Sequence, residues 1–171
     1  RDSSPYVAEF EPNLVHAMKY EIKDGIEMQQ VLNDANWLVD GMFGTPDEPA
    51  LPAMLLEEDF ADLVSLDRLN KSAGPESEGR GLYRKHCVSC HGVTGNGRGE
   101  LSGTLQPYPR DYRMGIFKFK STKRGSKPIR EDLARSIRNG IAGTPMKKIP
   151  ELSEEGIQSR VDNVIYLKIR G

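Results

Sequence analysis

The 171-residue chain has no long hydrophobic run. Stretches such as Val164-Ile165-Tyr166-Leu167 span only a few residues, whereas a membrane-crossing helix needs about 20. No membrane span is therefore expected. Cysteine is scarce: two residues in the whole chain exclude a disulfide-dense scaffold. An initiator Met and a signal-peptide core are both missing before Arg1, as expected of a processed product. Internal repeats, low-complexity tracts and strand-like alternation are also lacking, so the expected class is mainly α. Disorder is excluded by what is present, since 37% of residues are hydrophobic and 17 are glycine.

The net charge of −1 hides two opposite halves. Residues 1–78 carry 5 Lys/Arg against 17 Asp/Glu, a net of −12. Residues 79–171 carry 19 against 8, a net of +11. Such asymmetry marks a change of module, with Ser72-Ala73-Gly74-Pro75 as the punctuation near it. The expected organisation is an acidic helical or irregular extension over 1–78, packed on a basic domain over 79–171. In the extension, Ile26, Val31, Ala35, Leu38 and Met42 recur at helical spacing after a possible cap at Asp24, and Gly44-Thr45-Pro46 stops the helix. Short helices are expected over Asp59-Phe60-Ala61-Asp62-Leu63-Val64 and Leu66–Leu69. The apolar Ile26, Val31, Leu38, Met42, Leu55, Phe60 and Leu63 are expected to supply most of the packing on the basic domain. In that domain the pattern predicts helices over Glu78–Cys90, over Glu131–Asn139 with Gly140 closing it, and over Glu154–Arg170.

Cys87-Val88-Ser89-Cys90-His91 has the form CxxCH, the attachment motif of c-type haem. Two thiols one helical turn apart suit the two vinyl groups on one porphyrin edge, and the following His can bind the iron. Half a zinc site is the bland reading of CxxC. However, there is no second Cys pair, and His86 and His91 are too near it to complete a Cys₂His₂ set. A thioredoxin-like pair would need a βαβ context. His86 and His16 read as ordinary surface or core histidines.

With Gly79 eight residues before Cys87, Tyr83 four before, and Tyr166 in the last helix, residues 79–171 resemble the class I cytochrome c family, of the bacterial periplasmic type. The resemblance implies a fold built around one covalent haem c, in which Gly79 and Tyr83 lie where helices cross closely near Tyr166. It implies Met146, in Ile141-Ala142-Gly143-Thr144-Pro145-Met146, as the second iron ligand opposite His91, with Met114 the rival. A thioether is a soft neutral ligand that favours ferrous iron. The stretch from His91-Gly92 through Pro107-Tyr108-Pro109-Arg110-Asp111-Tyr112 is similar to the loop beside the proximal His. It implies Pro107, or secondarily Pro109, as the carbonyl that fixes the His ring. Tyr108, Arg110, Tyr112 and Arg113 are the candidates for binding haem propionates. A Gly-rich loop could instead cradle phosphate, but no Lys-Ser/Thr ending follows.

The function this implies is periplasmic electron transfer by a His/Met-ligated haem, without catalysis. Two alternatives are a haem-bearing interaction subunit of a larger oxidoreductase, and an enzyme domain whose labile Met146 exposes iron to a small molecule such as peroxide. Lys118, Lys120, Lys123, Arg124, Lys127, Arg130, Lys147 and Lys148 favour a redox partner with an acidic docking surface. Nucleic acid is not an expected partner.

Overall fold

The computed structural model describes residues 9–11, 18, 28–60, 62–77, 79–150 and 152–171. Expectations placed on Asp24, Ile26, His16, Ala61 and Glu78 lie outside the described residues. Among those described, the α-helices are α1 (Met28–Phe43), α2 (Leu66–Ser72), α3 (Leu82–His86), α4 (Val88–His91), α5 (Arg130–Asn139) and α6 (Glu154–Arg170). Tight 3₁₀ turns fall at Ala53–Leu56, Glu58–Phe60 and Ser102–Thr104, and among the described residues pairing is limited to isolated bridges. The mainly helical class read from the sequence is the observed one.

α6 is the element the rest surrounds. Ser153 caps it, accepting from Gly156 N at 3.1 Å. Glu154 and Glu155 occupy its first turn and Lys168 and Arg170 its last, each sign matching the helix dipole. Ile157 and every residue from Ser159 to Leu167 are buried, so the helix is covered on all sides. Its apolar residues join Tyr83, Tyr112, Leu133, Ala134 and Ile137 in one hydrophobic cluster. Phe10, Phe43, Leu51, Leu55, Val64 and Leu69, from the acidic part of the chain, belong to the same cluster.

Polar links tie the acidic part to α6 at three levels. Asp162, fully buried, accepts from Ser65 N at 3.1 Å, from Arg68 Nε at 2.6 Å, and from Arg130. The Tyr166 hydroxyl donates to the Phe43 carbonyl at 2.6 Å, with the Phe10 and Phe43 rings each 6.1 Å from its own. Arg170 donates to Asn36 at 3.0 Å and Asp40 at 2.5 Å, and lies 3.9 Å over the Phe10 ring.

Several local expectations change. α1 stops at Phe43 as expected, but Val31, Leu38 and Met42 point outward, as do Phe60 and Leu63; only Leu55 of the described set is buried. The helix read over Glu78–Cys90 is two short pieces, because Gly79 and Gly81 take left-handed conformations and Cys87 breaks the run at φ −121°. Gly79 is not at a close crossing: nothing lies within 4 Å of where its Cβ would be. The glycine needed for close approach is Gly81, whose Cβ would stand 2.5 Å from the Pro75 carbonyl oxygen. By contrast α5 ends at Asn139 and α6 spans Glu154–Arg170, as read.

Candidate functional site

The CxxCH segment forms a single helical turn. Cys90 N and His91 N both donate to the Cys87 carbonyl, at 3.2 and 2.8 Å. That turn sets Cys87 at the start of α4 and Cys90 and His91 as its last two residues. Both cysteines are free and half-buried. The following loop folds back on the motif: Gly97 N donates to the His91 carbonyl at 2.9 Å, Gly99 N to Cys90 at 3.2 Å and Leu101 N to Ser89 at 2.9 Å. Tyr83, deep in the core, donates its hydroxyl to the Gly92 carbonyl at 3.0 Å. Gly97 is required by this path, with φ +76° and a would-be Cβ only 2.7 Å from the Pro109 carbonyl oxygen.

This path delivers a backbone carbonyl to His91. Nδ1 lies 3.2 Å from the Arg110 carbonyl oxygen. A carbonyl can only accept, so Nδ1 carries the proton and Nε2 keeps its lone pair for a metal. Arg110, rather than Pro107 or Pro109, supplies that oxygen. The imidazole stacks on Tyr112 at 4.6 Å, and Tyr112 stacks on Phe117 at 6.0 Å. Burial lowers the His91 pKa, against the pull of the Arg110 carbonyl, and so favours the neutral ring. Burial pushes the Cys87 thiol up to about 12, partly offset by the neighbouring Arg160.

Met146 is brought in by a hairpin. Gly140 closes α5 at φ +69°, and a Cβ there would meet the Met146 carbonyl oxygen at 2.6 Å. Ile141 N donates to the Met146 carbonyl at 2.8 Å and Gly140 bridges Lys147. The Met146 side chain is half-buried against the core, whereas Met114 is 61% exposed.

The remaining candidates divide. Tyr108 is exposed, its hydroxyl 3.1 Å from Ser102 Oγ. Arg110 is exposed at the loop surface. Tyr112 is buried beneath the His91 ring. Arg113 is already engaged by Asp111 through a two-pronged pair at 3.0 and 2.8 Å. One participant had no sequence signal. Arg160 is buried within α6, with its guanidinium close enough to Cys87 to act on it electrostatically, Nη1 donating to Gly156 O at 2.7 Å, and Nε left without a partner. A single Arg in a helix pattern reads as a solvated residue, and only the surroundings reveal otherwise.

The donor set fits a covalent haem: two free thiols a turn apart and an imidazole whose Nε2 is left for the iron. Fold and site together define a class I c-type cytochrome domain. The chain belongs to the family described as cytochrome c oxidase, cbb3-type, subunit III, which matches residues 74–162, more than half of its length. Haem c, covalently attached and iron-bearing, is accordingly its cofactor, and electron transfer its class of activity. A chain of the reducing HAO-like protein complex of Kuenenia stuttgartiensis is similar at 38% identity and a TM-score of 0.47, over 55% of this chain and 41% of that one. The present chain thus spans less than half the length of that neighbour. Curated proteins give no match. No described helix is long and apolar enough to cross a membrane.

Proposed function

We propose that this chain is a periplasmic electron carrier. Cys87 and Cys90 would hold one haem covalently, His91 and Met146 would supply the ligands to its iron, and the chain does no catalysis of its own. When bound, the haem iron supplies a one-electron ferric/ferrous couple. His91 Nε2 is kept available because Nδ1 is spent on the Arg110 carbonyl. Met146 presents a soft, neutral sulfur from the hairpin after α5. Bound to the iron, His91 and Met146 would leave no position for a substrate, so the role of these side chains would be to hold the group and set its potential.

The observation that carries this reading is the contrast between the two methionines that follow the motif. Met146 packs on the core and Met114 stands in solvent. The exposed Lys118, Lys123, Arg124, Lys127, Lys147 and Lys148 support a partner with an acidic docking surface. Lys120 and Arg130 contribute less. The Lys120 ammonium donates to Thr122 and Lys123 carbonyls, and Arg130 is spent on Gln158 and Asp162.

Acid-acetone extraction and a ferric absorption spectrum test the proposal together. The colour stays with the polypeptide, and the spectrum is low-spin with a thioether-to-iron band. Extractable haem would refute the covalent attachment. A high-spin ferric spectrum would favour an enzyme with an open iron position.

A further inference from the structure

α1 has two apolar aspects, and among the described residues only one is packed inside the molecule. Phe43 is buried, Val39 packs on the core, and Asn36 and Asp40 hold Arg170. The other aspect carries Val31, Ala35, Leu38 and Met42, spaced i, i+4, i+7 and i+11. That is the spacing of a seam made to meet another helix. Val31, Leu38 and Met42 are 48%, 57% and 48% exposed, and Trp37, about 100° round the helix from Leu38, is 75% exposed. Scattered apolar side chains on a surface are ordinary, but a continuous stripe along one helix is not. The helix contains no Lys or Arg. Its acidic residues are Asp34 and Asp40; Asp40 is engaged by Arg170, and Asp34 accepts from Gln30 on the exposed side at 2.7 Å.

We infer that this stripe is the docking site for a helix of a different protein subunit, one with an apolar seam flanked by Lys and Arg. Charge selects this occupant over a second copy of the chain. Residues 1–78 carry a net of −12, so two copies paired through α1 would bring like-charged segments together, whereas a basic helix gains from the same field. The surface is also anchored. Arg170 and Tyr166 fix the C-terminal half of α1 to α6, so a docked subunit is tied to the haem domain rather than to a loose tail. The inference does not depend on which methionine binds iron.

Trp37 is the single tryptophan of the chain and stands exposed on the flank of the stripe, so a helix laid along the exposed side of α1 changes its emission. The probes are two synthetic helical peptides with the same leucine heptad seam, one flanked by Lys and the other by Glu, titrated into the ferric holoprotein. The Lys peptide moves Trp37 emission to shorter wavelength and saturates, while the Glu peptide binds at least about tenfold more weakly. Leu38→Asp weakens the Lys peptide by at least about tenfold, with the haem spectrum unchanged. Val31→Asp repeats the test if Leu38→Asp lowers the helix content. Added salt narrows the gap between the peptides. Equal affinity for both, no shift with either, or sedimentation showing a homodimer that Leu38→Asp dissociates would overturn the inference. A change in the haem spectrum of the unmodified protein during purification would count against the electron-carrier reading instead, since Trp37 emission reads the stripe independently.

Discussion

At the scale of single residues, the chemistry depends on which atoms are left with a free valence for the cofactor. The Arg110 carbonyl settles the His91 tautomer, and it does so with backbone, which no side-chain substitution at position 110 removes. Arg160 is the residue whose effect can be isolated. Its cation acts electrostatically on Cys87 and has one N–H unpaired, so it would place a positive charge near the haem proposed to be attached there. A buried positive charge favours the ferrous form. Arg160→Met is expected to lower the reduction potential, measured by spectroelectrochemical titration, and Arg160→Lys to restore most of it. A potential that does not respond to Arg160→Met would make the residue purely a packing group. CxxCH was legible in the sequence because its chemistry lies in spacing along the chain. The Arg110 carbonyl and the Arg160 contact were not, because both depend on how the loop and α6 approach that motif in space.

At the scale of elements, two buried aspartates join separate pieces of chain. Asp162 binds α2 and α5 to α6 through Arg68, Arg130 and Ser65 N. Its side chain is fully buried, whereas those of Arg68 and Arg130 are 34% and 28% exposed. The two sides of the pair are therefore unequal. Asp162→Ala frees arginines that can turn toward water, and is expected to cost about 2–3 kcal/mol. Arg68→Met with Arg130→Met strands the carboxylate and is expected to cost about 3–5 kcal/mol. Urea denaturation followed by circular dichroism separates these, and equal losses would contradict the asymmetry.

Asp132 does comparable work at the start of α5, accepting from Ser121 N at 2.9 Å, Ser121 Oγ at 3.2 Å and Ile129 N at 3.2 Å, with Arg135 at 2.7 Å. Burial alone would raise its pKa, but these hydrogen bonds and Arg135 hold it below the ordinary carboxylate value. A depressed folded pKa contributes stability that is present above the unfolded value of about 4 and is lost as pH falls through the folded one. The stability gap between wild type and Asp132→Asn is therefore expected to be constant near neutrality and to shrink in acid. A gap that widens on acidification would reverse the sign.

α5 and α6 were legible because their limits are local, as with Gly140 closing α5. The orientation of α1 was not. Helical periodicity says that Val31, Ala35, Leu38 and Met42 share a face, but it does not say whether this molecule or another covers it. The face with Val39 and Phe43 turned inward, where Arg170 also meets Asn36 and Asp40.

At the scale of the whole molecule, the opposed charges have separate consequences. The haem half carries +11, so electron transfer to an acidic redox partner is expected to slow as salt rises, with screening acting over about 8–10 Å at physiological ionic strength. Rates that stay flat or rise would remove the basic docking face. Residues from both sides of the charge boundary share one hydrophobic cluster, and isolated surface ion pairs contribute only about 0–1 kcal/mol each. Limited proteolysis near Ala73-Gly74 is therefore expected to leave the fragments associated at high salt. Fragments that separate with an unaltered haem spectrum would make residues 1–78 an independent module.

The central claim is that His91 and Met146 together close the iron coordination of an electron carrier. It is tested most directly by redox-titrated absorption spectra of the wild type beside Met146→Ala and Met114→Ala. Met146→Ala should lose the thioether-to-iron band and fall in potential, because a soft ligand that favours ferrous iron is removed. Met114→Ala, altered at a solvent-exposed position, should keep both. Loss of the band and the potential in Met114→Ala, with Met146→Ala unaffected, would contradict the account.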